Sequence, residues 1–164
     1  LISQGRGIIY AAIAGLLAML GGITWYASLD NPQLALAEIQ LTTVEVQSVN
    51  SIEGRANLEV NLLIKNPGDK TFTISNIDYE LFANGKPLGK GRYSAEDIPL
   101  PGRAAFYPKA EIELPSTFQL INTDTISEEY NAIVDGQPVK FSAKGMAVVE
   151  SAWSLVEKEF ETSQ

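Results

Sequence analysis

The side chains that most often carry out chemistry are thinly represented in this 164-residue chain. It has no histidine and no cysteine, and its most abundant reactive groups are twenty Asp and Glu. Disulfides, thiolate zinc sites, histidine-ligated haem and every Ser/His or Cys/His nucleophile arrangement are thereby excluded. Two carboxylates in the right geometry would suffice for glycosidase-type hydrolysis, which keeps a carboxylate-dependent hydrolase as an alternative, although an exposed charge is the commoner fate of Asp and Glu. The densest acidic group, Asp124, Glu128, Glu129 and Asp135, lacks the central glycine and closing glutamate of a calcium loop. Gly85-Lys86 and Gly89-Lys90-Gly91 are fragments of a phosphate loop without its Lys-Ser/Thr pair and helix start, and turns explain them better. The expectation is a protein with no catalytic, metal-ligating or cofactor-binding residue, no small-molecule substrate and no enzymatic activity. The acidic residues outnumber the twelve basic ones, so nucleic-acid backbones would be repelled.

A different kind of function is written near the N-terminus. From Gly7 to Ser28 the chain reads GIIYAAIAGLLAMLGGITWYAS, without a charge. As a helix this segment is about 33 Å long, enough to cross a hydrocarbon core of about 30 Å. Arg6 and Tyr10 mark one membrane interface, and Trp25 with Tyr26 the other. Asp30, Glu38 and Glu45 follow, with no Lys or Arg before Arg55, so the positive-inside rule puts the N-terminus in the cytoplasm and the remainder outside the cell membrane. The expected partner is therefore the lipid bilayer. Ala11, Ala14, Gly15, Ala18 and Gly22 form a stripe of small residues, the feature that lets an integral-membrane protein's helix approach closely. A secretory signal is the competing reading, with Ala35-Leu36-Ala37 as its cleavage site, but the apolar run is longer than the usual 7 to 15 residues or so.

Residues 29–37, including Asn31-Pro32, read as a short link that holds the next domain close to the membrane. Residues 38–162 then show a period of two. Ala56, Leu58, Val60, Leu62 and Ile64 alternate with polar residues, Leu63 excepted. Phase changes at Thr42-Thr43, and between Ile74 and Ile77, predict bulges. Asn84-Gly85 predicts a two-residue hairpin. Further strands are expected over Ala104–Leu114, Val139–Val149 and Trp153–Glu161. Ser116 with Gln119 and Thr125 with Glu128 fit capping boxes, and Asp135-Gly136 a helix stop, so short helices are expected near Thr117–Ile121 and Ile126–Val134. The fold class is all-β: a β-sandwich with a short helical insertion, preceded by one transmembrane helix. Trp153 and Phe160 could belong to an interface, but aromatic residues in alternating strands are more often core, and that is the expectation here.

The stretch Leu58 to Tyr93, LEVNLLIKNPGDKTFTISNIDYELFANGKPLGKGRY, resembles the water-stress and hypersensitive-response (WHy) domain of group 2 late embryogenesis abundant (LEA) proteins. The shared features are Asn66-Pro67 at a strand end, Tyr79, the Asn84-Gly85 turn, and Gly89 with Gly91. More loosely the likeness runs from Leu41 to Phe160, through Ile98-Pro99-Leu100 and the proline-ended Ile112-Glu113-Leu114-Pro115. The resemblance implies an immunoglobulin-like or fibronectin-III-like sandwich without enzymatic activity, linked to stress tolerance and in prokaryotes often tethered to membranes. Asn66 and Pro67 are expected to be structural.

The expected function is thus a non-enzymatic, single-pass membrane protein, either an accessory or structural subunit of a membrane complex or a surface stress module. An archaellin or pilin-like filament subunit is the alternative, because Arg6-Gly7 before Ile8-Ile9 looks like a prepilin-peptidase site; residues 1–7 preceding that site count against it.

Overall fold

The computed structural model describes residues 2–97 and 103–164. A 27-residue helix, α1 (Ile2–Ser28), leads through a turn at Leu29 and Asp30 into a single helical turn, α2 (Asn31–Leu34). The strands follow: β1 (Glu38–Asn50), β2 (Arg55–Lys65), β3 (Phe72–Ala83), β4 (Lys86–Ser94), β5 (Ala105–Phe106), β6 (Glu111–Ile121), β7 (Phe141–Glu150) and β8 (Leu155–Ser163). A helix, α3 (Ser127–Val134), lies between β6 and β7. All the strand pairs are antiparallel, in one sheet of order β1-β2-β6 and a second of order β4-β3-β7-β8, with β5 beside the start of β3. The two sheets pack as a sandwich, β1 against β8 and β4 against β6.

The alternation in β2 does what its period requires: Ala56, Leu58, Val60, Leu62 and Ile64 are all buried, and Leu63 sits half-buried on the other face. Ile74, Ile77, Tyr79 and Leu81 of β3 meet them from the second sheet, with Ala143, Ala147 and Val149 of β7. Both expected bulges are present, as register shifts between Leu41 and Thr43 and between Ile74 and Asn76. The Asn84-Gly85 turn has positive φ at both residues, 51° and 84°, as a type I′ hairpin needs. Edge strand β8 carries Glu157, Lys158, Glu159 and Glu161, charges that discourage pairing with another chain.

Four expectations are corrected. The residues near Thr117–Ile121 are strand, not helix: β6 runs through Pro115 to Ile121, burying Leu114, Ser116, Phe118 and Leu120 with period two. Pro115 is tolerated because β6 is hydrogen-bonded to β2 alone, so alternate residues owe no ladder bond. Ala104–Leu114 is not one strand, since Pro108 and Lys109, the latter at φ 67°, turn the chain between β5 and β6. Trp153 lies outside β8, in the β7–β8 turn. Finally, α3 starts without a capping box: its N-cap is Ile126, and the Thr125 hydroxyl bonds that of Thr123. Its stop is as expected, with Gly136 at φ 69°. Ile98-Pro99-Leu100 lies outside the described residues.

The link is itself folded. Leu34 and Ala37 are fully buried in the core, closing the end of the sandwich nearest α1, while Ile126, Tyr130 and Ile133 of the α3 region close the far end. Leu34→Ala should therefore cost about 2 kcal/mol, the low end for a buried leucine because the end of a sandwich can settle around the gap. Leu36→Ala, at a half-exposed position two residues on, should stay within about 0.5 kcal/mol. Urea unfolding of the two variants checks this; equal losses would mean that α2 is not docked.

Candidate functional site

Every residue of α1 from Gly5 to Tyr26 is exposed, and a Cβ added at Gly15 or Gly22 would meet nothing. Segment 5–34 is apolar and long enough to cross a membrane, a property that anchors share with signal sequences. Ala11, Ala14, Gly15, Ala18 and Gly22 fall on one side of α1, within an arc of about 100°. The two aliphatic hydroxyls of the span are bonded within the helix, Thr24 Oγ1 to the carbonyls of Leu20 (3.1 Å) and Gly21 (2.9 Å) and Ser28 Oγ to that of Trp25 (2.7 Å). A helix in lipid must satisfy its polar groups in this way. Arg6 and Tyr10 stand toward one end, and Trp25 and Tyr26 at the other, both about two-thirds exposed.

Where α1 ends, the chain is pinned to the sandwich. Lys158 Nζ of β8 donates to the Ala35 carbonyl (2.8 Å), the Asp69 backbone N–H to Gln33 Oε1 (3.1 Å), and Ser154 Oγ to Asn31 Oδ1. Lys70 pairs with Asp30 at 3.3 Å. The α1-proximal end thus comprises α2, the β2–β3 loop, the turn before β6 and the β7–β8 turn.

Asn66 organises this end. Its backbone N–H and C=O bond the Ala110 carbonyl (2.9 Å) and the Lys109 N–H (2.8 Å). Its Nδ2 donates to the carbonyls of Lys70 and Phe106, both at 2.8 Å, and its Oδ1 accepts from the Gly68 N–H at 3.0 Å. Pro67 follows at the surface, its carbonyl accepting from Lys109 Nζ. Further along, Tyr79 crosses between the sheets: its hydroxyl meets Ser116 Oγ at 2.9 Å, and Ser116 donates on to the Arg92 carbonyl (3.0 Å). Burial raises the Tyr79 pKa above its ordinary 10.0, against the pull of the Ser116 bond. Gly91 lies under the Tyr79 ring, where a Cβ would come within 2.3 Å of it, and Gly89, at φ 141°, lies beside Phe118. Asn66, Tyr79, Gly89 and Gly91 of the motif stretch thus have structural partners; Tyr79 and Gly91 border one concavity and Asn66 and Pro67 another, and no single cleft gathers them all.

An open trough of about 690 Å³ runs across the outer face of β4-β3-β7-β8. Two of its carboxylates are neutralised, Glu80 by Lys144 (3.7 Å) and Asp78 by a two-point contact with Arg92. Among the described residues no group of three His, Cys, Asp or Glu is placed to hold a metal ion, and the one buried carboxylate is Glu129. Its Oε1 meets Lys86 Nζ at 2.7 Å, tying α3 to β4, while Oε2 has no protein partner. The Lys86 hydrogen bond holds the Glu129 carboxyl below its usual 4.5, despite partial desolvation, and in return raises Lys86 above 10.5. A lowered carboxyl pKa adds stability above the unfolded value and loses it as the pH falls through the folded one. Unfolding midpoints should therefore drop on acidification below about pH 4.5, and less steeply in Glu129→Gln; parallel acid limbs would refute the coupling.

No family model matches this sequence, and no curated protein matches it. Solved structures do. AT1g01470 from Arabidopsis thaliana superposes with a TM-score of 0.52 at 14% identity, over 77% of this chain and 78% of that one. A candidate LEA protein, At2g46140.1, gives 0.46 at 10% identity over 96% and 87%, and a protein from Archaeoglobus fulgidus 0.45 at 15% over 76% and 94%. At 14% identity the likeness to AT1g01470 is one of fold alone.

Proposed function

We propose that this chain is a non-enzymatic, single-pass membrane protein whose α1 holds a WHy/LEA-like sandwich against the outer face of the cell membrane, with the N-terminus in the cytoplasm. Its work is that of an accessory or structural subunit, or of a surface stress module, and α1 is the element that recruits an integral-membrane partner. The observation that carries this reading is the uncovered apolar helix joined, with no flexible stalk, to a segment docked in the sandwich core. The small-residue side of α1 supports a partner helix, since close van der Waals approach drives association in lipid. The stress-related part rests on the resemblance of residues 58–93. The lack of histidine and cysteine, and the pairing of Asp78 with Arg92 and of Glu80 with Lys144 in the trough, support a role without catalysis.

Alkaline carbonate extraction of native membranes, followed by mild-detergent solubilisation and mass measurement, tests it. The chain should stay with the lipid and then migrate in a particle heavier than one copy in its detergent micelle. Release into the soluble fraction would remove the anchor; a monomer at native abundance would remove the complex.

A further inference from the structure

We propose that the α1-proximal end of the sandwich rests on the bilayer that holds α1, with the indole of Trp153 set in the headgroup layer as a second attachment beside Trp25. This rests on the anchor reading above.

Trp153 occupies the turn between β7 and β8 and is 68% exposed. The turn is built without its ring: the Ser151 hydroxyl accepts from the backbone N–H groups of Trp153 (3.3 Å) and Ser154 (3.2 Å), and the Ser151 N–H donates to the Ser154 carbonyl (2.8 Å). The indole therefore projects with no internal packing duty. An exposed indole is unfavourable in water, and its amphipathic ring is at home where hydrocarbon meets headgroups.

Position selects the bilayer as its occupant. Ser154, the next residue, is hydrogen-bonded to Asn31, only three residues beyond the end of α1. At the helical rise three residues advance about 5 Å, within a headgroup layer roughly 5 to 8 Å deep per leaflet. The contacts of Lys158 with Ala35 and of Asp69 with Gln33, together with buried Leu34, keep this end from swinging away. The chemistry around the turn agrees: Leu36 and Leu155 are about half exposed at the same end, and Tyr107 is 65% exposed in the turn before β6.

The chain has two tryptophans, which makes the test direct. Full-length Trp25→Phe and Trp153→Phe are each reconstituted in phosphatidylcholine vesicles, with and without lipid brominated near the glycerol end of its acyl chains. In Trp25→Phe, bromine should quench Trp153 as strongly as it quenches Trp25 in Trp153→Phe, and the Trp153 emission should lie to the blue of that in denaturant. Quenching of Trp25 alone would overturn this inference and leave the anchor standing. Quenching of neither would overturn both. A blue-shifted but unquenched Trp153 would mean that protein covers the indole, and would also overturn it.

Discussion

Gly145→Ala should destabilise the sandwich by at least about 3 kcal/mol, lowering its melting temperature by roughly 10 °C. Gly145 pairs with Tyr79 across the β3–β7 ladder, where a Cβ would stand 2.1 Å from the Asp78 carbonyl oxygen and 2.7 Å from the Tyr79 Cα. Both are backbone atoms in the middle of the second sheet, so no side chain can rotate aside. The two strands would have to part, and with them the Tyr79 hydroxyl from Ser116. Alanine recovers about 0.5 to 1 kcal/mol by restricting the unfolded chain, too little to offset the clash. Gly15→Ala, in open space on α1, serves as control and should leave the sandwich unchanged. Thermal or urea unfolding of the two variants decides the matter; a Gly145→Ala protein as stable as the parent would show that the strands stand further apart than described.

Asn66→Ala should cost about 4 kcal/mol. Three hydrogen bonds disappear, two of them buried and that to Lys70 partly so, and the carbonyls of Lys70 and Phe106 and the N–H of Gly68 lose their partners, each worth about 1 to 1.5 kcal/mol. Asn66→Asp should be worse still above neutral pH. It keeps the acceptor for Gly68 but turns a carboxylate toward two carbonyl oxygens that the amide held at 2.8 Å, in a residue only 1% exposed. A milder effect for aspartate than for alanine would contradict the assignment of Nδ2 as the donor. Because Gly68 also lies against Gln33, the damage should spread to α2, read as faster hydrogen exchange at Leu34.

What could be read from the sequence was whatever local chemistry decides. The β2 alternation, the Asn84-Gly85 turn and both bulges depend on residues within a few positions of each other. Ser116 shows where that stops. Ser-x-x-Gln is a valid capping pattern, but the hydroxyl is claimed by Tyr79, 37 residues away, and the period-two burial of Phe118 and Leu120 outweighs it. Leu34 and Ala37 read as link because one helical turn is too short to show a period. Their place in the core depends on contacts with β8, more than a hundred residues later. Gly145 carried a local signal, since an isolated glycine inside a strand often marks a close backbone approach. For the candidate site, the exposed aromatic pair Trp25 and Tyr26 at the end of α1 was legible from its place in the apolar segment. Trp153 was not, because its nearness to Asn31 is made by the tertiary fold alone.

The turn at Leu29 and Asp30 has a mechanical meaning. Helical bonds lie on both sides of it and α2 is hydrogen-bonded to the sandwich, so the turn fixes which side of α1 faces which side of the β-body. The compass bearing of the sandwich relative to the small-residue flank of α1 is then set by the residue count between Ser28 and Asn31, and inserting a single residue there would reset it by about 100°.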